Sequence, residues 1–306
     1  MKPRIGVVTR DAGHTWEMKA LHRAARALGA ELVRVDPKRA SVDLVQGCLL
    51  DPDGAPLSLD IAIGRVDAGC LDDGVRLLEC IAGRLPVING APAFRTGRDK
   101  RLMSRALARA GVPHPPTWLV APAAAVRLSR KLPYPLVAKP PQGAGGDGVQ
   151  RVARRQELLR LAAAGAEPLY LQAYCRGIQE ELRVLVLDGL SLGAVRKRPR
   201  RDEWRANLAL GGEAVPAPLD AEAERIAVRA AAAVGADFAG VDLVRVSGGL
   251  VVLEVNVCPG FRGFALATGV DVASHLIRAA LARVTKEGGF RESAGPDAGN
   301  PLVQRA

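Results

Sequence analysis

Strand-length and helix-length patterns take turns along the first ninety residues. Short runs with strand character fall at residues 5–8, 31–35, 60–63 and 86–88. Between them, residues 17–28 and 74–82 carry apolar side chains at helical spacing, and Gly29 stands where a left-handed cap would close the first helix. Strands alternating with helices predict a parallel sheet. Another helix is predicted over 99–110, with Leu102, Met103, Ala106, Leu107 and Ala110 as its apolar stripe and Gly111 as its stop. Pro113, Pro115 and Pro116 form a stiff link. Beyond it the pattern is mostly strands, at 117–120, 135–139, 148–152, 169–174, 181–187 and 191–197. Asp188-Gly189 is a two-residue hairpin signal. A helix opened by Asp220 and closed by Gly235 precedes strands at 238–246 and 250–257 and a helix at 272–284. Residues 285–306 are polar and rich in Gly and Pro, which predicts disorder.

Composition is that of an ordinary globular chain: 306 residues, 48% hydrophobic and 25% charged. No apolar run is long enough to span a membrane, and the N-terminal apolar stretch is too short for a signal peptide, so a cytoplasmic protein is expected. The net charge of +11 comes from arginine, since lysines number only eight of the 43 cations. Guanidinium forks suit phosphates and carboxylates, so anionic partners are expected. Aromatics at 4% leave few platforms for stacking bases, which weakens nucleic acid as the partner. Five cysteines without a C-x-x-C pair, and four scattered histidines, argue against a disulfide framework or a zinc site.

Two motif matches lack the context their chemistry needs. Gly143-x-Gly145-x-x-Gly148 is followed by a strand, whereas a dinucleotide fingerprint leads into a helix. Gly189-x-Ser191-x-Gly193 opens a strand after a hairpin turn, whereas a nucleophile elbow joins a strand to a helix. Three other constellations carry chemistry. Lys139 ends a strand just before a loop with four glycines in residues 143–148. Such a loop can turn backbone N–H groups toward phosphate, with the lysine as a point charge; the plain alternative is a surface hairpin. Asp242, Glu254 and Asn256 sit in otherwise apolar strands, where carboxylates are costly unless paired or bound to metal. If Ser247-Gly248-Gly249 is a three-residue loop, Asp242 lies opposite Glu254 on one face, a donor set that suits Mg²⁺. Finally, residues 196–205 hold six cations and Trp204, which is either a clamp on anionic substrate or a nucleic-acid patch.

These pieces, in this order, resemble the ATP-grasp superfamily and, within it, the RimK-type amino-acid ligases, from about residue 89 to 284. The resemblance implies an ATP-grasp fold of the α/β class behind an N-terminal parallel domain. Its divisions would fall at 1–95, 96–175 with the Gly-rich lid, 176–285 with the metal site, and a tail over 286–306. By resemblance ATP is held by Lys100, Lys139, Gln142, Gly143, Gly145, Gly146, Gln172, Ala173, Tyr174, Glu181, Arg205 and Asn207, with Lys139 and Arg205 acting in catalysis. Asp242, Glu254 and Asn256 resemble the ligands of two Mg²⁺ ions, replaceable by Mn²⁺. Arg183, Arg196, Lys197 and Asn256 would face the substrate. The implied reaction joins an amino acid, L-glutamate foremost, to an acceptor carboxylate through an acyl phosphate. Residues 6–10, Gly-Val-Val-Thr-Arg, are similar to ligases that act on pterin-type cofactors, so a small acidic acceptor is expected. A ribosomal-protein C-terminus is the alternative acceptor, and a basic nucleic-acid-binding protein without activity is the alternative class. A homo-oligomer, dimer or tetramer, is also implied, with no membrane partner.

Overall fold

Alternation of strand and helix builds the expected parallel sheet at the N-terminus. The computed structural model describes residues 2–142, 148–175, 181–198 and 213–293. β1 (Arg4–Val8), α1 (Trp16–Ala27) and β2 (Glu31–Val35) come first, with Gly29 at φ 75° closing the helix. A small hairpin that the pattern did not predict, β3 (Ser41–Asp43) with β4 (Cys48–Leu50), is followed by β5 (Ile61–Gly64), α2 (Leu71–Ile81) and β6 (Val87–Ile88). The sheet runs β2-β1-β5-β6, parallel throughout.

Two helices then lead out of this sheet. α3 (Ala91–Arg98) was not predicted. Its Thr and Gly disfavour a helix locally, and it is fixed by burying Ala91, Ala93 and Phe94. α4 (Lys100–Arg109) starts as expected, with the Asp99 carboxylate accepting from the N–H groups of Arg101 and Leu102.

A second, antiparallel sheet follows, made of β7 (Thr117–Val120), β8 (Leu136–Lys139), β9 (Gln150–Val152) and β10 (Leu169–Ala173), in the order β7-β10-β8-β9. Short α5 (Ala125–Leu128) and α6 (Arg155–Ala164) interrupt what the pattern presented as consecutive strands. Leu158 and Ala162 of α6 join Val120, Leu136, Ala138, Val152 and Leu171 in a core on one face of this sheet. The other face carries Lys139, Tyr170 and Gln172.

The third sheet is antiparallel in the order β13-β12-β11-β14-β15. Its strands are β11 (Glu181–Leu187), β12 (Leu190–Arg198), β13 (Glu213–Ala217, not predicted), β14 (Phe238–Val246) and β15 (Gly249–Asn256). Asp188 (φ 49°) and Gly189 (φ 76°) form the expected tight turn, and Ser191 lies in β12 with its hydroxyl donating to Glu224. The elbow motif is therefore coincidental. α7 (Ala221–Ala233) covers one face of the sheet through Leu182, Val184, Val241 and Leu243. α8 (Arg262–Thr268) and α9 (Val272–Ser293) cover the apolar end of the other through Leu185, Leu187 and Val195.

One expectation is corrected at the C-terminus. Helix α9 continues to Ser293, past residue 285 where disorder was predicted. The lysine and glutamate at 286–287 are good helix formers and extend a helix already nucleated by packing. Among the described residues, no single helix is long and apolar enough to cross a membrane.

Candidate active site

Helix α4 joins the second and third sheets, and the candidate site lies along its N-terminal end. Ser104 Oγ and the Tyr170 hydroxyl are 2.8 Å apart, tying α4 to the second sheet. Met103 Sδ accepts from Val255 N at 3.3 Å, tying the same helix to β15. Lys100, at the start of α4, donates its backbone N–H to Pro141 O at 2.9 Å, so the segment after Lys139 is anchored to the helix. The two sheets, and the lysines and acids they carry, are thus brought to one place by neutral contacts that no motif announced.

On the second sheet, Lys139 Nζ donates to Gln172 Oε1 at 2.7 Å. Gln172 is buried on the neighbouring strand and cannot cancel the charge. Burial pushes the Lys139 ammonium below its usual range; Glu254 opposes that shift and Lys100 adds to it. Glu254 and Lys100 both lie close enough to Lys139 to act on its charge. Ala173 accompanies Gln172 on β10, and the Tyr174 ring lies under the Arg151 guanidinium at 4.9 Å.

Asp242 lies opposite Glu254, as expected, but by a different route. The turn uses two residues rather than three, because Val246 pairs with Gly249. A bulge at Leu253 then restores the register. The same bulge sends Val252 and Val255 into the core beneath α7 while Glu254 and Asn256 face the site. Strict alternation would have put Val252 and Glu254 on one face.

The two acids differ in their surroundings. Both Asp242 oxygens are taken by cations: Arg183 Nε and Nη2 each donate at 2.7 Å, and Lys197 Nζ donates at 2.8 Å. Burial alone would raise the Asp242 carboxyl, but Arg183 and Lys197 outweigh it and hold it down at about 2. Lys197 also pairs with Glu181, whose carboxyl is pushed up by burial despite that partner. Glu181 thus shares Lys197 with Asp242. Glu254 is half-buried and has no hydrogen bond or ion pair among the described residues. Asn256 Oδ1 accepts from Cys258 N at 3.0 Å and keeps a second lone pair.

Asp242, Glu254 and Asn256 fit a hard cation in donor type and side. Taking one would require Asp242 to give up part of its hold on Arg183 or Lys197. Among the described residues, no cluster of three His, Cys, Asp or Glu side chains forms a ready-made cage, so substrate phosphates and water would complete the shell.

Not every residue expected at the site is there. Arg196 pairs in register with Leu182, whereas Lys197 pairs with Glu181, so Arg196 projects from the opposite face of β12. Its placement in substrate binding is corrected on that ground. Gly143, Gly145, Gly146, Arg205 and Asn207 lie outside the described residues, as does the rest of the basic stretch from 199 onward. Gln142 stands at the edge of the described segment.

One positioning residue escaped sequence reasoning. Asn89, buried at φ 57°, donates from Nδ2 to Phe238 O (2.6 Å) and Val257 O (2.7 Å). Its Oδ1 accepts from the N–H groups of Asp237 and Phe238. It pins the end of β15, next to Asn256, to the N-terminal sheet. Its only signal was asparagine's tolerance of left-handed backbone.

Comparison with known proteins gives the family. The family model for the RimK-like ATP-grasp domain matches residues 97–281. A probable alpha-L-glutamate ligase of Thioalkalivibrio sulfidiphilus is 31% identical over 284 residues, covering 90% of this chain and 94% of that protein. The ribosomal protein bS6–L-glutamate ligase of Escherichia coli O81 is 30% identical over 285 residues, with the same coverage of each. Among solved structures, the ATP-grasp ligase PsnB with its minimal precursor superposes with a TM-score of 0.71 at 21% identity, covering 92% of this chain and 99% of that one. The D-cycloserine synthetase DcsG superposes at 0.68 with 24% identity, over 92% and 99% of the two chains. With its lysines and acids converging at the start of α4 and its sequence matched across that region, the chain belongs to the RimK-like ATP-grasp family of amide-forming ligases.

Proposed function

We propose that this enzyme uses ATP and Mg²⁺ to add L-glutamate to an acceptor carboxylate. The observation that carries the reading is the convergence of Lys139, whose ammonium bonds only neutral Gln172 among the described residues, with Lys100, whose backbone N–H holds Pro141 O, and with Glu254, which faces Asp242 across β14 and β15. The acceptor carboxylate oxygen attacks the γ-phosphorus of ATP, and the bond to the bridging oxygen breaks, giving an acyl phosphate and ADP. The glutamate amine then attacks the acyl carbon, releasing phosphate and a proton and leaving an amide.

The chain's task is mainly charge neutralisation, the largest contribution to phosphoryl transfer. Lys139 and Lys100 would hold phosphate oxygens. Asp242, Glu254 and Asn256 would hold Mg²⁺, which would supply further neutralisation of the triphosphate. Arg205, from the basic stretch, would meet the transferring phosphate, and the glycines at 143, 145 and 146 would exclude water from the labile acyl phosphate. Arg183 and Lys197 become available to substrate carboxylate as Asp242 turns to the metal. The divisions near residues 95 and 175 would then separate the N-terminal domain and the two lobes that grasp the nucleotide.

For the acceptor, the E. coli relative named for bS6 favours the ribosomal-protein alternative, whereas the pterin reading rests only on residues 6–10. The test is glutamate-dependent ADP release with each acceptor class, followed by mass spectrometry of the acceptor. Gain of one or more glutamyl residues is the expected result. ADP release that ignores glutamate, with no acceptor modified, would overturn the reading.

A further inference from the structure

The carboxyl edge of the N-terminal sheet faces the metal-binding end of β15, and arginines collect there. Open parallel sheets present their ligand sites at this edge. Arg10 follows β1, Arg65 follows β5, and Arg98 ends α3. Arg98 sits beside β15 because Gly97 packs on Val257: a Cβ at Gly97 would lie 2.4 Å from the Val257 side chain. Arg65 lies over the Phe261 ring at 5.4 Å, and both of its terminal nitrogens approach Pro259 O only to 3.4 Å.

Among the described residues none of these three arginines has a carboxylate partner. Arg10 donates to Gly69 O at 3.1 Å and Arg98 to Val66 O at 2.8 Å, while Arg98 Nε is buried with no hydrogen-bond partner among the described residues. Elsewhere the arginines pair freely with acids, as Arg95 does with Glu79 and Arg183 with Asp242. The nearby acids are already engaged. Glu17 accepts from the backbone N–H groups of Phe261 and Arg262, and Asp11 caps its own loop. A buried guanidinium nitrogen left without an acceptor is costly, and an anion from outside would remove the cost.

We propose that Arg65 and Arg98, with Arg10 at the outer rim, bind the acceptor of the ligase reaction as an oligocarboxylate. The inference rests on the ligase reading and deepens it. Beside Arg10, Arg65 and Arg98, the acids Glu17, Asp11 and Asp67 already accept from backbone N–H groups, so this edge is richer in open cations than in open carboxylates and suits an anionic group better than an ammonium. An acceptor bearing several carboxylates matches it, and the site's position beside Val257 and Pro259 delivers one of them next to Asn256.

The test is equilibrium binding to the full chain loaded with Mg·ADP, using tetraglutamate and citrate as probes. At least one probe should bind saturably. Arg65→Met and Arg98→Met should each weaken it by about tenfold or more, as expected for loss of a charge-assisted bond. Arg65→Lys should recover part of the loss, and Arg76→Met, on the exposed side of α2, should change nothing. Affinity for Mg·ADP should stay within about twofold of the parent, because the lost contacts are remote from the nucleotide. Arg10 is exposed, so Arg10→Met keeps the test open should a more buried variant fail to fold; a loss of about threefold is expected there. Preference for tetraglutamate identifies a peptide acceptor and preference for citrate a small molecule. The proposal is overturned if the parent binds Mg·ADP but neither probe, if the arginine variants bind the probe like the parent, or if they lose ADP equally. A parent that does not bind Mg·ADP would instead overturn the ligase reading.

Discussion

Lys139 on the second sheet and Asp242 on the third are both charged side chains at strand positions facing one site, yet they are held in opposite ways. Among the described residues Lys139 hydrogen-bonds only the neutral Gln172, which leaves its charge uncancelled. Asp242 is buried under two cations that take both its oxygens. In the proposed roles, the group that would meet a triphosphate keeps its charge open, whereas the one that would meet a metal is closed by its own cations. Glu254, directly opposite Asp242, is the open member of that pair. Neighbouring residues with the same expected role therefore carry different structural burdens.

The largest effects should separate those burdens. Asp242→Asn is expected to abolish turnover and also to cost about 3–5 kcal/mol, because Arg183 would remain buried without its counter-charge and Lys197 would keep only Glu181. Glu254→Gln should abolish turnover with less than about 1 kcal/mol of stability lost, since it breaks no pair among the described residues. Urea unfolding beside ADP release decides this, and equal stability losses would erase the distinction.

Next in size is the lysine. Lys139→Ala should weaken ATP binding by about 1.5–3 kcal/mol in calorimetric titration while adenosine binds as before. Its stability should hardly fall, because burial disfavours the ammonium in the folded chain.

Acid should then dissolve the Asp242 pair. Its folded carboxyl titrates near 2, below the ordinary 3.8, so its contribution is complete above about pH 4 and is lost as pH falls toward 2. The stability gap between the parent and Asp242→Asn should shrink over that window by roughly 2 kcal/mol. Glu181, whose raised carboxyl has the opposite sign, shares Lys197 with Asp242, so its own titration shifts in the variant and is followed beside the gap. A gap that is flat between pH 5 and 3 would mean that Asp242 is not held by its cations.

The smallest effect probes how the two sheets are joined. Tyr170→Phe removes the buried contact to Ser104 and should cost about 0.5–1.5 kcal/mol of stability. Its effect on KM for ATP should exceed its effect on Asp242-dependent steps, since only the second sheet is loosened from α4.

Local chemistry alone was enough for much of this molecule. The helix ends at Gly29, Asp99, Gly111, Asp220 and Gly235, the turn at Asp188-Gly189 and the order of strands and helices follow from capping and periodicity, which act within a few residues. Lys139, Asp242, Glu254 and Asn256 stood out because charge in an apolar strand needs a reason, and that too is visible locally. Tertiary structure alone decided the rest. Helix α3 forms against its sequence because Phe94 and Gly97 fit the neighbouring strands. The bulge at Leu253 carries Glu254 to the site because the core beneath α7 claims Val252 and Val255, a demand set by packing and not by the chain's period. Arg196 and Lys197 look equivalent in sequence, but pairing register sends them to opposite faces, and register depends on strands far away in the chain. Which cation finds an acid among the described residues, as Arg183 does and Arg65 does not, is likewise fixed only when distant elements meet.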